Sequence, residues 1–195
     1  MASDKKNADI DSRRLFIAII LPEDLRVQLF ESIKELADHV PAVRPISPEN
    51  IHLTLKFLGS TGTFMLRKIS SAIRNTAEGF ESFSFAAGSI IGAFPNISSA
   101  RILYVPVVDA AGHIADIFKV LEDNLATIKI KREERKFTPH ITIARIKDEL
   151  NIADFLKKIT FDFKDGIICS KLTLFESRLK PSGADYIILE EFALK

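Results

Sequence analysis

The sequence predicts an α+β protein of two pseudo-symmetric lobes, each a small antiparallel sheet backed by helices, with an active-site cleft between them. Two observations predict this class. Apolar residues recur with strand-like spacing in some segments and helix-like spacing in others. The same order of elements also occurs twice: a shift of 88 positions brings His52 onto His140 and Leu15 onto Leu103. We therefore expect one bilobal domain at 13–195, with repeat halves at about 13–92 and 100–193.

The first half of the chain begins with a continuous apolar run, which is typical of a buried central strand. Pro22 suits the first turn of a helix, and an apolar stripe with i, i+4 spacing follows it. The elements predicted for this half are a strand at 14–21, a helix from residue 22, a strand at 50–59, a helix at 64–77 and a strand at 83–92.

The second half repeats this order and ends in a hairpin. Pro106 indicates an edge or bulge position in its first strand. A mixed-charge run at 131–136 predicts a solvated linker. The predicted elements are a strand at 101–108, a helix at 110–125, a strand at 139–145, a helix at 148–158, and strands at 166–176 and 186–192 joined by a turn at 181–183.

The composition argues against an extended nucleic-acid-binding surface and a membrane span, and it favours a cytoplasmic location. A net charge of +1 argues against a long electrostatic footprint on nucleic acid, although a local basic cleft is compatible with it. Cys169 is the one cysteine, lies in an apolar run and has no intrachain disulfide partner, so a reducing cytoplasm is expected. No apolar run reaches the roughly 20 residues that span a membrane. The polar residues 1–12 predict a disordered tail without the pattern of a signal peptide.

A duplicated His-x-Thr motif is the feature that points to chemistry. Because side chains alternate along a strand, His140 and Thr142 share one face, roughly 7 Å apart, while their apolar neighbours point to a core. His52 and Thr54 form the matching pair in the first half. Two facing imidazoles fit displacement at phosphorus, since one can act as a base while the other acts as an acid. The threonine hydroxyls can hydrogen-bond the non-bridging oxygens.

Other side chains near the motifs are candidates for substrate binding. Strand alternation puts Lys56 on the face of His52 and points Arg145 away from His140, unless a bulge turns Arg145 inward. Phe137 and the Phe94-Pro95 loop are candidate stacking surfaces for a base. We expect no metal, because no carboxylates are interleaved with the histidines on the same faces. His39 and His113 lack any such context, and we expect structural roles for them.

These motif blocks resemble the 2H phosphoesterases, and among them the RNA 2′,3′-cyclic phosphodiesterases, also called 2′-5′ RNA ligases. The resemblance extends over about residues 13–193. It is carried by Leu15-Phe16-Ile17-Ala18, by residues 47–59 around His52, by Phe94-Pro95 followed by residues 101–105, by residues 137–145 around His140, and by Leu174-Phe175-Glu176-Ser177 with Gly183 and Tyr186.

The resemblance implies hydrolysis of RNA 2′,3′-cyclic phosphate ends to 2′-phosphomonoesters, without a metal or another cofactor. It assigns His140 as the general base on water and His52 as the general acid toward the 3′-oxygen, with Thr54 and Thr142 binding the phosphate. The expected partner is an RNA or oligonucleotide with a cyclic end, tRNA fragments included, and the expected state is a monomer without membrane attachment.

Three alternatives stay open at the level of sequence. The same site can serve reversible 2′-5′ joining of tRNA halves, which a competing 5′-hydroxyl RNA would disclose. The chain can be an RNA-end-binding module with incidental catalysis, which predicts tight binding with negligible turnover. A small nucleotide cyclic phosphate can be the substrate instead of RNA, which a comparison of mononucleotide and oligomer decides.

Overall fold

A computed structural model describes residues 11–156, 163, 166–181 and 183–195, and an antiparallel sheet dominates this part of the chain. Within these residues ten strands join one sheet. The strands are β1 (Ser12–Ile20), β2 (Val43–Pro45), β3 (His52–Gly62), β4 (Phe83–Ala87), β5 (Gly92–Phe94), β6 (Ala100–Val108), β7 (His140–Leu150), β8 (Ile167–Cys169), β9 (Lys171–Lys180) and β10 (Gly183–Ala193).

The described helices cover one face of this sheet. They are α1 (Glu23–His39), α2 (Leu66–Ala77), α3 (His113–Thr127) and the single turn α4 (Ala153–Leu156), with 3-10 turns at Pro48–Asn50, Thr63–Met65 and Ile97–Ser99. Helix α1 begins after Pro22 with acidic residues in its first turn, which suits the helix dipole. Its apolar stripe is buried as the spacing predicts: Leu25, Leu29, Ile33 and Leu36.

The strand order β10-β9-β1-β3-β7-β6-β4-β8 divides the sheet into two lobes that meet between β3 and β7. The first lobe contains β10, β9, β1 and β3. The second contains β7, β6, β4 and β8, with β2 paired to β7 and β5 paired to β6. The α+β class and the two lobes are therefore confirmed, and the two small sheets are continuous across the seam.

The repeat is visible in the element bounds. A shift of 88 carries Ser12–Ile20 onto Ala100–Val108 and His52–Gly62 onto His140–Leu150, residue for residue. It also carries β4 into β9. Yet β4 pairs with β6, and β9 pairs with β1, so these two equivalent strands each join the lobe of the other repeat. The two halves of the chain thus interlock.

Two layers of apolar side chains lie on opposite faces of the sheet. The main core fills the space between sheet and helices and includes Ile17, Leu53 and Ile141. A second, smaller cluster of Phe16, Ala18 and Phe175 lies on the other face. We call this second face, which also carries His52 and Thr54, the cleft face. The cleft face therefore has its own apolar support directly beside the motif residues.

Several predicted boundaries need correction. The predicted helix at 148–158 is wrong for residues 148–150, because β7 continues to Leu150 and α4 begins at Ala153. The predicted strand at 83–92 is two short strands, β4 and β5, with residues 88–91 between them. Of the predicted tail, Ser12 belongs to β1, and residues 1–10 lie outside the described residues, as do residues 157–158 of the predicted helix and Ser182 of the predicted turn.

Cys169 is fully buried in β8, as its apolar run predicts. Burial raises the pKa of its thiol to about 12, so the thiol stays protonated at neutral pH. None of the helices in the described part of the chain has the length and apolar character needed to cross a membrane.

Candidate active site

The two His-x-Thr strands are neighbours in the sheet and run antiparallel, paired at Leu53 and Ile141. In an antiparallel pair, the residue before one partner lies opposite the residue after the other. His52 therefore lies opposite Thr142, and Thr54 lies opposite His140. All four side chains point to the cleft face, since their apolar neighbours are buried in the main core. The structure thus brings the four predicted residues together at the seam of the lobes.

His52 is held by two hydrogen bonds, one at each ring nitrogen. Its Nδ1 lies 2.7 Å from the backbone oxygen of Asn50, and its Nε2 lies 2.9 Å from Oγ1 of Thr54. A carbonyl oxygen accepts hydrogen bonds and cannot donate them, so Nδ1 carries the proton and the Thr54 hydroxyl donates to Nε2. The ring nitrogen on the cleft side is therefore the unprotonated one in the neutral imidazole.

Aromatic rings enclose the His52 imidazole. The ring centroids of Phe16 and Tyr186 lie 4.9 and 5.3 Å from that of His52, and Phe175 lies 6.2 Å away. Burial among these rings lowers the pKa of His52 from 6.5 to about 4, with the charges of His140 and Arg145 adding to the shift and the Asn50 hydrogen bond opposing it. His52 is thus neutral at pH 7 in the substrate-free protein.

His140 has the same backbone anchor and a different environment. Its Nδ1–H donates to the backbone oxygen of Thr138 over 2.7 Å, so in the neutral imidazole Nε2 is the acceptor on the cleft side. The stacked rings of Phe94 and Tyr104 lie beside it in edge-to-face geometry, at centroid distances of 5.1 and 5.3 Å. The predicted stacking residue Phe94 therefore supports His140 from the second lobe.

Each motif strand carries a β-bulge one residue beyond its threonine. In β3, Thr54 pairs with Ala18 and Lys56 with Ile17, so Leu55 is the extra residue. In β7, Thr142 pairs with Tyr104 and Ala144 with Leu103, so Ile143 is extra. A bulge inverts the alternation of the residues that follow it. Leu55 and Lys56 are consequently both buried, as are Ile143 and Ala144.

The bulge in β7 settles the orientation of Arg145. This residue is exposed and pairs with Ile102, on the same face as Thr142. Its charge is also among the causes that lower the pKa of His52, which places the guanidinium within electrostatic reach of that imidazole. The predicted alternative, in which a bulge turns Arg145 into the cleft, is the one that the structure has.

The bulge in β3 makes the prediction for Lys56 wrong. Inverted alternation turns Lys56 into the main core, where it forms a buried ion pair with Glu122 and donates to the backbone oxygen of Lys131. Phe57 takes its place on the cleft face, 72% exposed and 6.0 Å from Phe16 between ring centroids. Sequence reasoning missed Phe57, although the repeat offered a signal, since Phe57 matches Arg145 and Lys56 matches Ala144.

The prediction for Phe137 also needs correction. Its ring stacks on Phe118 of α3 at a centroid distance of 4.0 Å and packs against the main core, on the helical side of the sheet. Phe137 precedes β7 and lies outside the alternation that places His140, so the motif block gave no orientation for it. It therefore anchors the segment that leads to His140 and does not line the cleft.

The predicted linker at 131–136 is exposed but tied to the core. Glu122 accepts a hydrogen bond from the backbone N–H of Glu133 while it pairs with Lys56. The linker's own charges pair locally, as in Lys131 with Glu134. The buried Lys56–Glu122 pair thus connects β3, α3 and the segment that delivers His140.

No group of three or more His, Cys, Asp or Glu side chains with metal-site geometry occurs among the described residues. His39 lies at the end of α1 with Nδ1 bonded to the backbone of Glu35, and His113 opens α3 beside Phe83. Neither ring belongs to the cleft. In their neutral forms the two imidazoles each present an acceptor nitrogen to the cleft, beside the two threonine hydroxyls and the guanidinium of Arg145, a set suited to an anion that gains and loses protons.

Comparison with known proteins identifies the family. The profile of the family described as LigT like Phosphoesterase matches residues 19–104 and again residues 105–186. The RNA 2′,3′-cyclic phosphodiesterase of Methanothermobacter thermautotrophicus is 30% identical over 187 residues, which cover 93% of this chain and 98% of that protein. The protein of the same name from Thermotoga maritima is 30% identical over 181 residues, covering 91% and 94%.

Solved structures show the same fold. The crystal structure of TT0787 of Thermus thermophilus has a TM-score of 0.78 at 27% identity, and the match covers 93% of this chain and 97% of that one. The crystal structure of Escherichia coli LigT complexed with 3′-AMP has a TM-score of 0.77 at 25% identity, covering 94% and 99%. With two matched family units and relatives along nearly its full length, the chain belongs to the LigT like Phosphoesterase family.

Proposed function

We propose that this protein hydrolyses 2′,3′-cyclic phosphate ends of RNA or oligonucleotides to 2′-phosphomonoesters. The observation that carries the proposal is the quartet of His52, Thr54, His140 and Thr142 on one face of two adjacent strands. Relatives named RNA 2′,3′-cyclic phosphodiesterase at 26–30% identity support the substrate class. The E. coli relative complexed with 3′-AMP supports a site for a ribose-linked phosphate.

The proposed roles follow the family assignment. Nε2 of His140 takes a proton from water as the water oxygen attacks phosphorus. The bond from phosphorus to the 3′-oxygen breaks, and Nε2 of His52 donates the proton that this oxygen needs. The hydroxyls of Thr54 and Thr142, with the guanidinium of Arg145, stabilise the charge that develops on the non-bridging oxygens.

This assignment requires a change at His52, because its pKa of about 4 leaves it neutral at pH 7 before substrate binds. A cyclic phosphodiester carries one negative charge, and an anion near an imidazole favours the protonated form. We infer that the substrate phosphate raises the pKa of His52 and that the proton arrives together with the substrate. The general acid is then formed only in the complex.

Phe57 supplies a surface for the nucleobase in this proposal. It lies on the cleft face beside Phe16, and its ring is largely exposed. Base–aromatic stacking contributes about 1–3 kcal/mol for each base. Phe57 and Arg145 occupy equivalent positions in the repeat. The first lobe thus has an aromatic ring for stacking where the second lobe has a cation.

Two finer expectations from the sequence stay proposals. We infer a cytoplasmic location from the single cysteine, whose buried thiol is free. We also infer that the monomer is the working unit, because both histidines of the site come from one chain.

The proposal is tested with an oligonucleotide that ends in a 2′,3′-cyclic phosphate, incubated with the protein in excess EDTA. We expect complete conversion to the 2′-phosphate, identified by chromatography against synthetic 2′-phosphate and 3′-phosphate standards. Absence of turnover, or formation of the 3′-phosphate, would overturn it. Adding an RNA with a 5′-hydroxyl to the same reaction tests the ligase alternative through the appearance of a 2′-5′-joined product.

A further inference from the structure

Two arginines lie directly opposite each other beside the quartet. Arg44 of β2 pairs with Arg145 of β7 in antiparallel register, so both side chains leave the sheet on the same face. That face is the cleft face, because Arg145 lies there together with Thr142. Both side chains are exposed. Cβ atoms of directly opposed residues are about 4.5–5.5 Å apart, so the two charged side chains start from adjacent positions on the sheet.

Among the described residues, the side chains of Arg44 and Arg145 form no ion pair and no hydrogen bond. No carboxylate therefore neutralises their positive charges there. The contrast with nearby Arg101 is direct, since that residue pairs with Glu149 of the same strand β7. Lys147, two residues beyond Arg145, is exposed as well and adds a third cation to this stretch. A chain of net charge +1 therefore concentrates positive charge next to its quartet.

Like charges directly opposite on paired strands are destabilising. Phosphate groups bound at these guanidinium groups reduce this cost and form charge-assisted hydrogen bonds, which planar guanidinium makes well with phosphate. Arg44 also has a defined place, since β2 is followed by Ile46, whose N–H donates to the backbone oxygen of Ile143 at the bulge. The site is thus built on paired strands and not on a loop.

The location fits a second phosphate of the same substrate. Arg145 lies three residues beyond Thr142, roughly 10 Å along an extended strand. Its long side chain can extend back toward the quartet, and Arg44 lies on its far side in the seam between the lobes. In an oligonucleotide, the anion nearest to the cyclic phosphate is the phosphodiester on the 5′ side of the terminal nucleotide.

We propose that Arg44 binds the phosphodiester that joins the terminal nucleotide to the rest of the RNA. This inference rests on the proposed function and deepens it by naming an oligonucleotide, and not a free nucleoside cyclic phosphate, as the substrate class. A nucleoside 2′,3′-cyclic phosphate with a 5′-hydroxyl has the reacting group but lacks the anion for Arg44. The ratio of kcat/KM for the two kinds of substrate therefore reports on this residue.

The experiment compares the dinucleotide ApA with a 2′,3′-cyclic end against adenosine 2′,3′-cyclic phosphate, in wild type and Arg44→Ala. We expect Arg44→Ala to reduce the preference for the dinucleotide by about tenfold, mainly through KM, with Arg44→Lys in between. The salt dependence of the dinucleotide KM should also weaken, with the logarithmic slope falling by about 0.7. Arg67→Ala, which removes an exposed arginine of α2 on the helical side, should preserve the preference.

An unchanged preference in Arg44→Ala, or an equal loss on both substrates, would overturn the inference. If wild type hydrolyses neither substrate, the proposed function fails, and the inference is decided by titration calorimetry with ApA 2′-phosphate and adenosine 2′-phosphate. If wild type binds ApA 2′-phosphate more tightly than adenosine 2′-phosphate and Arg44→Ala loses this preference in Kd, the inference is supported. Equal affinities of wild type for the two ligands would contradict it. A merely structural role is distinguished by stability, since removing one of two opposed cations should leave Tm unchanged or raise it.

Discussion

The two His-x-Thr strands have the same backbone and different surroundings. In both, the histidine Nδ1–H donates over 2.7 Å to the carbonyl two residues earlier, and a bulge follows one residue after the threonine. In β3 the imidazole is packed against Phe16, Phe175 and Tyr186, and the bulge presents Phe57 to the cleft. In β7 the bulge presents Arg145.

This difference teaches how a duplicated unit can acquire two roles. The hydrogen bond to the carbonyl fixes the same ring nitrogen toward the cleft in both lobes. Burial then lowers the pKa of His52 to about 4, and the charge of Arg145 lies in the second lobe. A symmetric pair of imidazoles thus becomes an asymmetric site, with Phe57 on the cleft face of one lobe and Arg145 on that of the other.

Removing either histidine should have the largest effect on activity. We expect His52→Ala and His140→Ala each to lower kcat/KM for a cyclic-phosphate oligonucleotide by about 10²-fold or more, because each loses one proton transfer. His39→Ala, outside the cleft, is the matched control. If one histidine variant keeps the full rate, the two strands do not share the reaction.

Breaking the buried ion pair between Lys56 and Glu122 should clearly lower the free energy of unfolding. Lys56→Met leaves the Glu122 carboxylate buried without its cation, and the expected loss in the free energy of unfolding is about 3 kcal/mol or more. The double variant Lys56→Met/Glu122→Gln removes the charge and keeps an acceptor for the Glu133 N–H, so it should recover part of this loss. Urea unfolding measures both. A Lys56→Met protein of wild-type stability would show that Lys56 is not in the core.

Substitutions of Arg145 and Phe57, the two cleft residues that follow the bulges, should affect different kinetic constants. Arg145→Ala removes a charge next to the phosphate and should lower kcat/KM about tenfold or more, with kcat included. Phe57→Ala removes stacking and should raise KM severalfold with less effect on kcat. Phe64→Ala, another exposed phenylalanine, is the control. Equal kinetic signatures for Arg145→Ala and Phe57→Ala would break the contrast between the lobes.

Ligand binding should also change the pKa of His52. Binding of a nucleoside 2′-phosphate should raise its pKa from about 4 by about one unit or more, because the anion favours the imidazolium. NMR of the imidazole resonances measures this, with His52→Gln to assign them. A pKa of His52 that stays near 4 in the complex would contradict its role as the acid.

The same shift predicts how stability depends on pH. The unfolded chain protonates His52 near pH 6.5 and the folded chain only near pH 4, so the unfolded state binds more protons in this window. The free energy of unfolding should therefore fall as pH is lowered from 6.5 to 4, by up to about 3 kcal/mol from this residue. In His52→Gln this part of the fall should be absent.

The sequence was informative where periodicity decides the outcome. Alternation around His52 and His140 placed four side chains on one face, and the shift of 88 matched β1 to β6 and β3 to β7. The bulge at Leu55 was not predicted, and a bulge in β7 was considered only as an alternative for Arg145, because an extra residue in a strand leaves no mark in composition. The orientation of Lys56 depends on that bulge and on Glu122, a partner 66 positions away that no local pattern indicates.

The sequence also could not predict that β4 and β9 pair with strands of the other repeat. A repeat shows which segments are equivalent, and both an exchanged and an unexchanged pairing of β4 and β9 satisfy that equivalence. Phe137 is a similar case, since its neighbour Phe118 is set by how α3 packs on the sheet. Tertiary contacts at long sequence separation decide each of these.

The most direct test of the paired-histidine account is a double-mutant cycle. The protein is assayed in EDTA on a cyclic-phosphate oligonucleotide as wild type, His52→Ala, His140→Ala and the double variant. Because an acid and a base that act in one reaction are non-additive, we predict that the double variant is within about threefold of the slower single variant. Losses that multiply in the double variant would show that the two histidines act independently and would contradict the account.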